Sequence, residues 1–380
     1  MAKAGFSLVG LDIGSSGIRA VQLRSARKSA QPQIARAAWV DLAPGIMHEG
    51  VLVDPQALTK ALRQLWRSGG FTRHKVAFAV PAPSVLTRQL DLPWMQPADF
   101  RSALRYQVID ALPMDIDSVE LDYHLLERRS RAGAKAQAVD ENRILVVAAE
   151  REQTTAIARA ISQAKLEPVI ADHAPLALIR AMCQGQVPEG EQARAIVDIG
   201  AEQMTVAIQS QGQPLFIRVL SPGGGSGATQ EIAAELGIDI HQAEQLKVTT
   251  ELNVPVPVLV PVAESSVFSA AFDSPASLEQ AQDSRVIATM NSWASTVVTE
   301  IRNSLDYYRS DENSAAVTEL TIVGRAASMP GLVERIATQL PYPITSGQPW
   351  MGLPGGERLK HQPADARLAL AIGLATARVG

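Results

Sequence analysis

Two carboxylates stand in the same short context at distant points of the chain. Asp12 ends the apolar run Phe6-Ser-Leu-Val-Gly-Leu11 and precedes Ile13-Gly14-Ser15-Ser16; Asp198 ends Ala195-Ile-Val197 and precedes Ile199-Gly200-Ala201. An Asp fixed at a strand end can hold a hydrated Mg²⁺, because that ion favours oxygen ligands and keeps several of its waters. The glycine lets the backbone turn closely, and the amides beside Ser15 and Ser16 can point at anionic oxygens. One such turn, taken alone, reads as an ordinary hairpin. Two of them facing each other would clamp a phosphate chain from both sides. Asp12 and Asp198 are therefore the candidate acidic residues, and beyond them Asp172 is the remaining acid that a phosphoryl-transfer reading could enlist as a base.

Further residues could serve the same chemistry. Ser221-Pro-Gly-Gly-Gly-Ser-Gly-Ala-Thr229 is a glycine-rich loop running into a helix expected over 229–236, whose N-terminus could hold an anion. The loop reads equally as a flexible connection. Glu244 and Lys247 share one face of a short helix, a spacing that in isolation means a solvated ion pair. Leu320-Thr-Ile-Val-Gly324 is a strand whose terminal glycine would let a flat ring approach the backbone.

The elements that must position these residues follow from hydrophobic period. Strands over 6–12 and 18–23 form a hairpin, a third strand covers 34–40, and a helix over 54–68 places Leu58, Leu62, Leu65 and Trp66 on one face. Between 75 and 170 the order becomes strand 85–90, helix 97–112, strands 119–126 and 143–149, and helix 151–164. That split βαβ order marks an inserted subdomain, with 128–142 as a hairpin tip. A helix over 175–183 and a connector at 185–192 lead to 195–209, which repeats the opening hairpin, and a strand over 215–220 follows. The repetition implies two matching α/β halves. A long helix over 284–309 carries Val286, Met290, Trp293, Val297, Ile301, Leu305 and Tyr308 at core-facing spacing. The proline-rich stretch 254–283 reads as an edge, loop or flap, and a last helix covers 364–377.

Composition removes other classes. With 35 Lys+Arg against 39 Asp+Glu in 380 residues, there is no global field to gather nucleic acid. The single Cys183 reads as a buried thiol, and it excludes an internal disulfide or a multi-cysteine metal cage. Asp12 interrupts the N-terminal apolar stretch before a signal-peptide core forms, and no apolar run reaches the roughly 20 residues that span a bilayer.

The ordered set Asp12-Ile-Gly, Asp198-Ile-Gly, the glycine-rich loop, Glu244-x-x-Lys247 and Gly324 resembles the actin, heat-shock chaperone and sugar-kinase superfamily over nearly the whole chain. Within it, Gly10-Leu-Asp-Ile-Gly-Ser-Ser16, the Gly-Gly loop with Thr229, Ala243-Glu-x-x-Lys247 and Asn303-Ser-Leu-Asp-Tyr-Tyr308 resemble the PilM family of type IV pilus assembly proteins. The resemblance implies an actin-like ATPase fold built from two duplicated ribonuclease-H-like α/β lobes. The first core would take 1–80, 166–192 and 364–380, with 81–165 inserted; the second would take 193–236 and 305–363, with 237–304 as its own subdomain. It also implies that ATP and Mg²⁺ are bound, the metal through water on Asp12 and Asp198. Gly14, Ser15, Ser16, Gly200, Gly223 and Gly224 would line the phosphates, Glu244 and Lys247 would meet the ribose and base, and Gly324 the adenine. Arg325 and Ala326 depart from the usual glycine-richer adenosine motif.

As partner the resemblance implies the N-terminal cytoplasmic tail of a PilN-like inner-membrane protein, held in a groove near 81–165, together with other pilus platform proteins. The chain would then be cytoplasmic and reach the inner membrane through that partner. The competing members of the superfamily are an FtsA-like cytoskeletal protein, which would carry an amphipathic membrane helix, and a small-molecule kinase, which needs an interlobe base.

Overall fold

The computed structural model describes residues 5–25, 32–132, 138–183, 192–221, 223–252, 275–312, 314–349, 353 and 366–378. The chain opens with β1 (Gly5–Gly14), β2 (Gly17–Ser25) and β3 (Gln33–Asp41), an antiparallel meander with Asp12 opposite Arg19 across the hairpin. A two-residue pair, β4 (Met47–His48) and β5 (Val51–Leu52), precedes α1 (Pro55–Gly69). Asp54 caps that helix by accepting from the N–H groups of Gln56 and Ala57, and Gly70 ends it at φ 60°.

Next come β6 (Lys75–Val80), β7 (Val85–Pro93), α2 (Pro97–Val108), β8 (Val119–Ala132), β9 (Ala138–Glu150), α3 (Arg151–Gln163), β10 (Glu167–His173) and α4 (Ala174–Met182). The second half contains β11 (Ala193–Ile199), β12 (Met204–Ser210), β13 (Gln213–Leu220), α5 (Ser226–Leu236), α6 (Ile240–Thr249) and α7 (Pro275–Arg309). It closes with β14 (Val317–Val323), α8 (Leu332–Ala337), β15 (Ile344–Ser346) and α9 (Ala369–Ala375).

The two large sheets have the same plan. One runs β3-β2-β1-β6-β10 and the other β13-β12-β11-β14-β15, each an antiparallel meander extended by two parallel strands. The duplication expected from the two Asp-Ile-Gly hairpins is thus a duplication of whole five-stranded sheets. Their central strands β1 and β11 read as apolar runs because both faces are covered. Outside the first sheet lie α1 and α3, through Leu58, Leu62, Leu65, Ile157 and Ile161. Outside the second lie α5 and α7, whose stripe from Val286 to Tyr308 is buried as its spacing indicates.

Helices α4 and α9 fill the space between the sheets. Leu178 and Ile179 meet Ile196, Ala207 and Val323 of the second sheet, while Ala177 and Leu374 meet Ala77 and Ala79 of the first. The helices touch so closely that a Cβ on Gly373 would run into the backbone of Ala177. This is the actin-like arrangement of two duplicated lobes.

The insertion is a three-stranded sheet of order β7-β9-β8 with α2 on one face. Phe100, Leu104 and Val108 pack there on Ile144, Val146 and Ala148, as their spacing predicts. Alternation puts Thr87, Gln89, Asp122, His124, Leu145 and Val147 on the opposite face. Three local expectations change. The strands of the β8–β9 hairpin run through most of 128–142, leaving only 133–137 outside the described residues. β6 and β10 are further strands: the first is a short apolar run, Val76 to Val80, whose period alone does not tell strand from buried helix, and the second is a run of mixed polarity. α3 covers the first lobe's sheet, not the inserted one. The connector at 185–192 falls outside the described residues except for Gln192, and of 254–283 only the α7 portion from Pro275 lies within them.

Candidate functional site

The two Asp-Ile-Gly turns meet at one cavity of about 140 Å³ between the lobes, which Asp12, Ser15, Ser16, Asp198, Gly200 and Gly324 all line. Each carboxylate comes from the central strand of its own sheet, so the fold's pseudo-symmetry brings them together. Gly14 lines the cavity too, at the end of β1 where Gly14 and Gly17 pair across the turn. Gly324 sits at φ 90°, and a Cβ there would collide with the Asp198 carboxylate and the Ile199 carbonyl. Only glycine allows the end of β14 to lie against the second turn.

Arg19 donates to Asp12 Oδ2 at 3.1 Å. Burial raises the Asp12 pKa against the opposing pull of Arg19. Burial pushes the Asp198 carboxyl up to about 7, reinforced by the Asp12 charge and opposed by Arg19. The cavity thus holds two mutually repelling acids that a cation would stabilise in their ionised form. No group of three His, Cys, Asp or Glu side chains gathers as a metal cluster among the described residues. The donor set therefore fits a cation that keeps water or phosphate oxygens in its shell, as Mg²⁺ does.

The remaining predicted residues occupy a neighbouring layer. Gly223 and Gly224 do not line the cavity; their N–H groups donate to the Glu202 carbonyl at 3.0 and 3.1 Å, and Gly225 N–H donates to the Gly200 carbonyl at 3.0 Å. The glycine-rich loop thereby braces the second Asp-Ile-Gly turn. Behind it, buried Lys247 donates to Glu244 Oε2 at 2.6 Å, to Thr229 Oγ1 at 2.7 Å and to the Gly225 carbonyl at 3.0 Å. Arg325, which does line the cavity, donates to Glu244 Oε1 at 3.0 Å. Burial works to raise Glu244, but Lys247, Thr229 and Arg325 together hold it below the ordinary carboxylate range. Burial also lowers Lys247, which is the more enclosed partner.

Several lining residues were not singled out in the sequence. Arg19 lies seven residues beyond Asp12 and faces it because the intervening turn is tight; strand alternation carries that signal. Arg367 adds a third guanidinium beside Arg19 and Arg325. Glu202 accepts the Glu49 N–H at 2.8 Å and lies 3.7 Å from His48, which joins the β4–β5 hairpin to the second lobe at the cavity's edge. Asp172 lies elsewhere, paired with Arg180.

A second space of about 740 Å³ opens between the polar face of the inserted sheet and the first lobe. Asp122, His124 and Val147 form one wall; Asp172, His173 and Arg180 form the other. Two side chains of the same sheet face reach the second lobe: Gln89 donates to the Leu215 carbonyl, and His124 meets Gln213, each at 2.9 Å. No helix of the described residues is long and apolar enough to cross a membrane.

Comparison with known proteins gives this geometry a family. A model of the cell division protein FtsA matches residues 195–373. Among solved structures, a PilM–PilN type IV pilus biogenesis complex is similar with a TM-score of 0.78 at 22% identity, covering 97% of each chain. The ethanolamine utilization protein EutJ from Carboxydothermus hydrogenoformans is similar with a TM-score of 0.53 at 15% identity, over 98% of this chain and 89% of that one. A diol dehydratase-reactivating factor in nucleotide-free form gives 0.51 at 12% identity, over 97% and 98%. The model for Type IV pilus assembly protein PilM matches residues 10–273, more than half of the sequence, and the chain belongs to that family.

Proposed function

We propose that this chain is an ATP-binding assembly protein of the type IV pilus machinery, with nucleotide in the interlobe cavity and the cytoplasmic N-terminal tail of a PilN-like inner-membrane protein in the groove beside the inserted sheet. The observation that carries the nucleotide reading is the convergence of Asp12 and Asp198, from duplicated turns, on one cavity that also holds Arg19. Bound Mg²⁺ would neutralise phosphate oxygens. Asp12 and Asp198 would hold its water shell, and the turns at Gly14–Ser16 and Gly200 would line the phosphates. Arg325, anchored by Glu244, would flank the nucleoside.

Hydrolysis is slow or absent in this reading. Among the described residues, the carboxylates lining the cavity are Asp12, Asp198 and Glu202. The first is paired with Arg19, the last is tied to the β4–β5 hairpin, and Asp198 is committed in this reading to the water shell of the metal, which leaves no free base for an attacking water. Asp172, the acid a kinase reading would enlist, belongs to the groove. The tail reading is supported by the fold shared with a PilM–PilN complex and by a groove of peptide-holding size. Through the tail the protein would sit at the inner membrane and couple to other platform components. The FtsA match over the second lobe keeps a cytoskeletal reading as the alternative, with filament formation as its distinguishing behaviour.

Calorimetry tests the nucleotide site. Asp12→Ala and Asp198→Ala should each lower Mg²⁺-ATP affinity by at least a hundredfold while the fold persists by circular dichroism. Unchanged affinity in both variants would remove the assignment.

A further inference from the structure

Exposed cations gather at one end of the first lobe. Lys60, Arg63, Arg67, Arg73 and Lys75 are all exposed, and between Asp54 and Asp91 the sequence has no acidic residue. Hydrogen bonds stitch the ends of α1 and α3 to the starts of β6 and β10. Arg63 donates to the Gln163 carbonyl, Trp66 Nε1 to the Arg73 carbonyl, and Glu167 N–H to the His74 carbonyl. Exposed Lys165 lies between Gln163 and Glu167 in the chain, Arg36 lies against Gly70, and Arg24 stands opposite Phe6 across the β1–β2 hairpin. Of these cations, Lys75 alone has an ion-pair partner among the described residues, Glu167 at 3.3 Å.

The fold does not require such a cluster, as its own duplication shows. β6 and β14 hold the same place in the two sheets, and α7 leads into β14 as α1 leads into β6. From Asp306 to Glu319, across that junction in the second lobe, the acids Asp306, Asp311, Glu312 and Glu319 stand with one cation, Arg309. There Arg309 pairs with Asp306, and Glu319 pairs with Arg194. The helix dipole accounts for Arg67 in the last turn of α1, but not for Arg24, Arg36 or Arg73. Cations side by side repel one another, and the whole chain carries a net charge of -4, so the cluster runs against the overall balance.

Unpaired cations at one end of a molecule match a surface of fixed negative charge, and clusters of about four to eight Lys and Arg side chains are what an anionic bilayer attracts. Phe6, 40% exposed and opposite Arg24, adds an apolar ring of the kind that enters the headgroup region. We infer that this end of the first lobe makes direct contact with an anionic phospholipid bilayer, with Phe6 entering the headgroup layer. β1 and β6 run away from this end, and their last residues, Gly14 and Val80, line the interlobe cavity, so a bilayer here leaves the cavity open. The contact goes beyond the partner-borne attachment proposed above, and it needs neither nucleotide nor tail.

Co-sedimentation of the full chain with vesicles tests this. Vesicles of equal parts phosphatidylcholine and phosphatidylglycerol should carry the parent down, phosphatidylcholine alone should not, and added salt should release it. Each Lys or Arg near an anionic bilayer strengthens binding about fivefold, so Arg24→Gln/Arg67→Gln/Arg73→Gln should weaken it by about a hundredfold. Removing as many exposed cations elsewhere, as in Arg101→Gln/Arg285→Gln/Arg309→Gln, should change it by less than about threefold. Phe6→Ser should weaken it by about threefold or more. A parent that does not distinguish the two vesicles, or equal losses in the two triple variants, would overturn the proposal. So would a Phe6→Ser chain that binds like the parent, and so would a DNA duplex that binds more tightly than the vesicles and displaces them, which would make the patch a nucleic-acid site. Should the first triple variant not fold by circular dichroism, its three single substitutions decide, with losses of about fivefold each expected. The vesicles hold no PilN-like protein, so failure here leaves the nucleotide and tail readings standing.

Discussion

In the proposed reading, the discomfort of Asp198 is what marks it for ligand binding. Its carboxyl is pushed from an ordinary value near 3.8 to about 7 by burial and by the charge of Asp12. The folded state therefore keeps a proton between those values that the unfolded chain has already released. Linkage fixes the sign: stability of the nucleotide-free protein falls as pH rises through that window. Thermal melting between about pH 5 and 8 should show a declining midpoint for the parent and a flatter profile for Asp198→Asn. Asp12 contributes in the same direction, so some slope remains. Parallel profiles would mean that Asp198 is not the titrating group. A bound cation reverses the preference, and Mg²⁺-ATP affinity should rise across the same range.

At the scale of elements, two glycines predict opposite outcomes. Gly373 lets α9 lie against α4, and a Cβ there would meet the Ala177 backbone, which cannot move without separating the helices that join the sheets. Gly373→Ala should cost about 1–3 kcal/mol, the usual range for overpacking, in urea unfolding. Gly227 lies in the first turn of α5 with open space around it. Gly227→Ala should stabilise by about 0.4–1 kcal/mol, because alanine restricts the unfolded chain and favours the helix. Were both variants to shift equally, close packing would not be what distinguishes them.

Across the whole molecule, the inserted sheet spans both lobes, forming a groove wall with one and bonding to the other through Gln89 and His124. Ala174 lines the interlobe cavity and its neighbour His173 lines the groove, so one strand-to-helix junction borders both spaces. Nucleotide that changes lobe closure should consequently change tail affinity, and linkage requires the tail to change nucleotide affinity by the same factor. The double variant Gln89→Ala/His124→Ala removes both side-chain bridges. In peptide titrations with and without Mg²⁺-ATP, its affinity ratio should fall toward one, while each ligand still binds alone. A ratio equal to the parent's would place the coupling elsewhere.

What the sequence determined by itself was local and repeated. A strand ending in Asp-Ile-Gly is legible because neighbouring residues build it, and its second copy announced the two-lobed fold, as the stripe on α7 announced a covered sheet. Asp12 and Asp198 were legible for that reason. The tertiary structure alone decided which residues share a space. Arg19 could be inferred only through hairpin register, and Arg367 arrives from the far end of the chain. The glycine-rich loop turned out to brace a turn, because its amides are spent on Glu202 and Gly200. His173 has no motif, and the burial of both its ring nitrogens without a partner is settled between elements that periodicity could place but not orient. Local pattern follows from backbone geometry, whereas burial and convergence depend on how sheets stack, and no single stretch of residues encodes that.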